Sequence, residues 1–123
     1  MPSIVVINGA DAITPRTQEG AGAYTDLAGS DVSAPHPIVA GVWDLVDLDE
    51  PTPIFEAEWD EMKYMIAGEL TLRNGETGEI SELRAGSMLW IPTGSKMSII
   101  KSKGVRVVYV EQQYRKGMFT SST

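Results

Sequence analysis

The feature that most constrains this chain is a series of turn signals at short spacing through its second half. Gly68, Asn74-Gly75, Ala85-Gly86, Pro92-Thr93-Gly94 and Lys103-Gly104 separate segments rich in β-branched and aromatic residues. Those segments are Met62 to Ala67, Glu69 to Arg73, Gly78 to Leu83, Ser87 to Ile91, Lys96 to Ile100 and Val105 to Gln112. Each predicts a strand, because Gly and Asn accept turn conformations that other residues resist. No segment holds a capped helical period over roughly ten residues. Many short strands with regular punctuation predict an all-β sandwich or small barrel.

The first half is less regular. Ile4-Val5-Val6-Ile7 predicts a short strand ending at Asn8-Gly9. Residues 9–37 are rich in Gly, Ala, Ser, Thr, Asp and Pro without a sustained period, which predicts a long irregular covering segment. Ile38 to Val46 reads as a strand with Gly41 as a bulge. Arg115 to Thr123 reads as a polar tail. The expectation is one domain: an N-terminal strand and covering segment over 1–37, a barrel over 38–114, and a tail over 115–123. A chain of 123 residues is enough for one core.

Charge and composition narrow the partners. The formal net charge is −7 and the ten Lys and Arg are scattered, which argues against nucleic acid and anionic lipid. No apolar run approaches the ~20 residues of a membrane span. The start, Met1-Pro2-Ser3-Ile4, lacks the basic region of a secretory signal. Cysteine is absent, so disulfide and thiolate chemistry are excluded. The chain is expected to be cytoplasmic, with a small molecule as ligand and a homodimer as its assembly.

Two stretches resemble the paired motifs of the cupin superfamily. Gly86-Ser87-Met88-Leu89-Trp90-Ile91-Pro92-Thr93-Gly94-Ser95-Lys96-Met97 fits the second, G-x5-P-x-G-x2-H, with Met97 in the place of the histidine. Glu61-Met62-Lys63-Tyr64-Met65-Ile66-Ala67-Gly68 fits the end of the first, a glutamate, six residues and a glycine. Upstream, Ile54-Phe55-Glu56-Ala57-Glu58-Trp59-Asp60 stands where two histidines would fall, and neither is there. The segment Trp59 to Leu70 and the late Val107-Val108-Tyr109-Val110 resemble the small, histidine-poor ethanolamine-utilisation Q-type cupins. The resemblance spans roughly residues 38–114 and implies a jelly-roll (double-stranded β-helix) barrel. It says less about chemistry, since one fold hosts many functions.

In a cupin with the full motif, three histidines and the glutamate hold a divalent metal; here only Glu61 stands in a matching position. Alternation along the strand places Glu61, Lys63 and Met65 on one face, with Tyr64 and Ile66 on the other. A glutamate and a lysine sharing a barrel interior form a structural ion pair or tune each other for proton transfer. Glu56, Glu58 and Glu61 are the residues that a hard cation, Mn²⁺ or Mg²⁺, would take; the competing reading is a solvated acidic edge that binds no metal. His36, the single histidine, lies in Pro35-His36-Pro37 and reads as a loop residue or a base at the barrel mouth. Met65, Met88, Trp90, Met97 and Tyr109 would line an apolar ligand pocket, or else pack a core. Tyr24 and Arg16 are candidates to close over its mouth.

These readings predict an acid/base enzyme using Glu61 and Lys63 for a lyase, isomerase or cyclase step on a small or aromatic metabolite. Two alternatives stand beside it: a non-catalytic ligand-binding or dimeric scaffold cupin, and a cupin enzyme with a carboxylate-held metal.

Overall fold

The computed structural model describes residues 3–31 and 33–113; the predicted tail lies outside them. After a 3-10 turn at Ala10–Ala12, the strands are β1 (Thr17–Glu19), β2 (Gly22–Gly29), β3 (Val39–Leu45), β4 (Phe55–Glu56), β5 (Glu61–Asn74), β6 (Ile80–Arg84), β7 (Met88–Ile91) and β8 (Lys96–Glu111). They form one antiparallel sheet in the order β1-β2-β3-β8-β5-β6, with β7 on β5 and β4 on β8. The fold is an all-β jelly-roll barrel. No helix among the described residues is long and apolar enough to cross a membrane.

Two long strands build the barrel. The first turn of β5, from Glu61 to Tyr64, pairs with β7 on one edge and with the end of β8 on the other. Its second half pairs with β6 and with the start of β8. The turns predicted at Gly68 and at Lys103-Gly104 are therefore bends inside continuous strands. Register shifts fall on either side of Ala67, and Gly68 sits at φ 92. A side chain at Gly68 would run into the Gly104 carbonyl. Glycine here lets β5 cross close over β8 and change direction without ending.

The segment 9–37 departs from its predicted irregularity. β1 and β2 form a hairpin, and β2 pairs along β3 from Gly22 opposite Leu45 to Gly29 opposite Val39. Short side chains such as Ala23, Thr25 and Ala28 carry little hydrophobic period, so this strand is specified by its neighbour more than by its own sequence. Gly41 is not a bulge; it stands in register with both Asp26 and Tyr109, and the bulge lies in β2 between Asp26 and Ala28. Residues 4–7, expected as a strand, are exposed and belong to no strand.

Leu45, Met65, Leu70, Leu72, Leu83, Ile99, Val105 and Val107 pack as one hydrocarbon cluster inside the barrel. Each such side chain contributes roughly 1.5–3 kcal/mol when fully buried. Outside it, Arg106 forks onto both oxygens of Asp44 at 2.8 Å and reaches the Asp11 carbonyl at 2.9 Å, tying the 3-10 turn to β3 and β8.

Candidate functional site

The sheet register assembles the site in consecutive rows on the inner face. One row runs Ile91, Glu61, Glu111 and Val39 across β7, β5, β8 and β3. The next runs Leu89, Lys63, Tyr109, Gly41 and Asp26, reaching β2. The third, Met65, Val107, Trp43 and Tyr24, begins the hydrocarbon core. Polar groups thus occupy one end of the barrel interior, with apolar packing beneath them.

Lys63 is the centre of this polar end. Its ammonium lies 2.5 Å from Oε2 of Glu61, with side-chain exposures of 17% and 12%. It also sits 5.0 Å from the Trp43 ring centroid and 5.7 Å from that of Tyr109. Both aromatic faces attract the cation, more strongly here than in water because the group is largely desolvated.

Glu111 is the functional candidate the sequence reading missed. Burial, followed by hydrogen bonding to Glu61 and that residue's charge, pushes its carboxyl up to about 7. The Gln113 amide and the Lys63 charge pull the other way, and do not win. Two facing carboxylates cannot both ionise cheaply, which is why Glu111 holds its proton. The signal was available: Val107, Tyr109 and Glu111 alternate into the barrel just as Glu61 and Lys63 do.

Tyr109 is buried and donates its hydroxyl to Asp26 Oδ1 at 2.6 Å. The bond crosses β3 and is possible because Gly41 has no side chain. A Cβ at Gly41 would sit 2.5 Å from the Tyr109 hydroxyl oxygen and collide with the Thr25 carbonyl.

Several candidates fall elsewhere. Met88 and Trp90 are 67% and 60% exposed and point outward from β7; the inward residues of that strand are Leu89 and Ile91. The outer face of β7 is as apolar as the inner, so alternation alone does not tell the two faces apart. Met65 is core, not pocket lining. Met97 is half-buried opposite Phe55 and Asn74, at the other end of β5 from Glu61. His36 and Arg16 are exposed, while Tyr24 is half-buried in β2 opposite Trp43. Asp60, from the acidic stretch, accepts from the Thr93 amide at 2.8 Å and its hydroxyl at 2.9 Å. Those bonds hold its carboxyl below the usual range.

The residues present do not fit a cupin metal centre. Glu56 and Glu58 are exposed, away from the inward Glu61. Among the described residues no three His, Cys, Asp or Glu converge to hold a metal ion. Lys63 already places a positive charge against Glu61.

The profile of the ethanolamine utilisation protein EutQ family matches residues 10–114. The chain belongs to the EutQ family. A candidate ethanolamine utilization protein Q from Salmonella typhimurium LT2 superimposes with a TM-score of 0.62 at 26% identity, over 87% of this chain and 84% of that one. The EutQ protein of Clostridium difficile gives 0.56 at 22%, over 74% of this chain; the match spans 61% of that longer protein. The polyketide cyclase RemF of Streptomyces resistomycificus gives 0.57 at 20%, over 78% of this chain and 68% of that one, a likeness of fold alone. No curated protein matches in sequence. This EutQ-family barrel keeps a glutamate at the motif position and surrounds it with a lysine, a second glutamate and two aromatic rings.

Proposed function

We propose that this EutQ-family chain is a small-molecule enzyme that moves protons at the polar end of its barrel, in a lyase, isomerase or cyclase step. The observation that carries the reading is the facing pair Glu61 and Glu111 with Lys63 against it. Glu111 keeps its proton up to about pH 7. Glu61, as carboxylate, takes a proton from a substrate carbon or hydroxyl; Glu111, as acid, returns one to the substrate oxygen or leaving group. Lys63 stabilises the negative charge that develops between these steps. Leu89, Ile91 and Trp43 line the surroundings with apolar and aromatic surface, suited to a small ring or an unsaturated carbonyl compound. A polyketide cyclase is built on the same fold; the side chains, not that likeness, support the reading.

The test is deuterium wash-in beside the carbonyl of 2-oxo acids, aldoses and cyclic diketones in D2O, followed by proton NMR. Wild-type protein should catalyse exchange on at least one class, and Glu61→Gln should slow it at least ~100-fold, the usual worth of a positioned base. Equal exchange by both proteins, or no exchange on any class, overturns the proposal.

A second reading treats Glu61–Lys63 as a structural pair in a binding barrel. The short, shielded contact between them favours it, as does the place of the open cleft of about 580 Å³, which lies elsewhere, between Pro51–Ile54 and the hairpin residues Asn74–Gly78. Under that reading Glu61→Gln lowers stability and alters no turnover.

A further inference from the structure

At the far end of β5 from Glu61, a half-open cleft of about 580 Å³ lies between two fixed walls. One wall is the strap from Pro51 to Ile54, whose two prolines set its path. Thr52 fastens the strap to β8. Its amide donates to the Ile99 carbonyl at 2.9 Å, and its hydroxyl accepts from the Ile99 amide at 3.0 Å. The other wall is the turn from β5 to β6, where the Asn74 side-chain oxygen accepts from the Glu76 and Thr77 amides. Strap and turn meet at Gly75, where a side chain would run into Ile54 and Lys96. The cleft is therefore shaped before anything enters it, and its volume falls in the range of small-molecule sites.

The floor of the cleft holds a buried polar group with no partner in the fold. Ser98 is 4% exposed and stands opposite Arg73 in the register of β5 and β8. Among the described residues no fully enclosed side-chain oxygen lacks a partner, yet the Ser98 hydroxyl bonds to none of them. The small open part of this residue is thus its hydroxyl, facing the cleft that it lines. Hydroxyls withdrawn this far from solvent ordinarily have a partner, and here one has to come from the cleft.

Arg73 supplies the charge. Its guanidinium lies over Gly78, 3.9 Å from where a Cβ would stand on that glycine. Among the described residues it has no ion pair, and Glu76 is the only carboxylate in the lining. A planar guanidinium beside a hydroxyl donor fits a carboxylate, which takes two parallel N–H bonds and keeps a lone pair for the serine. Pro53, Ile54 and Ile100 place apolar surface next to these donors. The net charge of −7 does not forbid an anion here, because charges more than roughly 8 Å away are screened at physiological salt.

We propose that this cleft binds a small monocarboxylic acid with a compact apolar or aromatic body, its carboxylate held by Arg73 and Ser98. The site is separate from the polar end of the barrel and stands whether or not Glu61 turns a substrate over.

Benzoate is the probe, titrated into the isotope-labelled full chain and followed by amide NMR. Saturable shifts should gather on Arg73, the turn from Asn74 to Gly78, and Ser98. A Kd on the order of 1 mM is expected for a ligand of this size. Arg73→Gln should weaken binding at least tenfold and Ser98→Ala roughly threefold. Arg73 is exposed, so its replacement leaves the fold intact. Benzyl alcohol, a similar body without the charge, should bind at least tenfold more weakly. Arg84→Gln removes an exposed cation of β6 outside the cleft and should change nothing. Shifts that do not saturate by roughly 20 mM benzoate overturn the proposal. Binding that survives Arg73→Gln, or that benzyl alcohol equals, overturns it as apolar adsorption alone. An equal loss in Arg84→Gln overturns it as general charge attraction, and an unaffected Ser98→Ala overturns the part given to the hydroxyl.

Discussion

Glu61 of β5 and Glu111 of β8 stand directly opposite each other on the inner face of the barrel, joined through a shared hydrogen bond. Like charges placed so are destabilising unless a proton lies between them. Glu111 has an ordinary value of 4.5 and rises to about 7 in the folded chain. Between those values the folded state binds more protons than the unfolded one, so this pair's contribution to stability falls as pH rises through the window. Glu111→Gln mimics the protonated form. Its thermal midpoint should match wild type near pH 4.5 and exceed it at pH 8, read by circular dichroism melts. Identical pH profiles for the two proteins would remove the shared proton.

Gly41→Ala should be among the most damaging single-methyl changes in the chain. The added carbon meets the Tyr109 phenol and the Thr25 carbonyl, which lie on opposite flanks of β3. Neither moves without breaking a strand or the bond from Tyr109 to Asp26. Overpacking of this kind costs about 1–3 kcal/mol, and urea denaturation measures it. Tyr109→Phe takes a hydroxyl donor from the buried Asp26 side chain and should cost about 1–3 kcal/mol.

The extent to which these features were legible in the sequence differs by residue, for physical reasons. The barrel was readable because Gly68, Asn74-Gly75, Gly86 and Pro92-Thr93-Gly94 punctuate alternating strands. Whether Gly68 and Gly104 end strands or bend them was not, since a positive φ serves both purposes and only the register decides. The inward placement of Glu61 and Lys63 followed from alternation relative to Met65. The outward placement of Met88 and Trp90 did not, because an apolar outer face reads like a core. Asp26 was hidden in a strand of small residues that its pairing with β3 defines. Glu111 lay in plain alternation with Tyr109, but its partner Glu61 is joined to it by cross-strand register, which sequence order does not display.

Asp60→Asn should loosen the second motif without touching the barrel interior. Asp60 takes two hydrogen bonds from Thr93 and so anchors the Pro92-Thr93-Gly94 turn to the start of β5. Its carboxyl is held below the ordinary value, chiefly by the Thr93 amide. A depressed carboxyl stabilises the fold above its unfolded value and loses that contribution as pH falls through the folded one. The variant should therefore melt earlier than wild type at pH 7. The two curves should converge below the usual carboxylate range; a constant gap across pH would mean that the charge is irrelevant.

Lys63→Met tests what holds the pair of carboxylates together. The ammonium lies against Glu61 and between two aromatic rings, and its charge also draws Glu111 downward. Removing it leaves facing carboxylates with no compensating cation, so the Glu111 carboxyl should move above about 7. At pH 8 the lost partner should cost about 3 kcal/mol, the lower range for breaking a shielded pair. At pH 5 the cost should shrink, because Glu111 carries a proton there. Chelation with EDTA should shift neither protein's melting point, since the Lys63 ammonium sits against Glu61 where a divalent ion would have to bind. A chelation-sensitive wild type would mean that a metal displaces this lysine, and the acid/base assignment of Glu61 would fall with it.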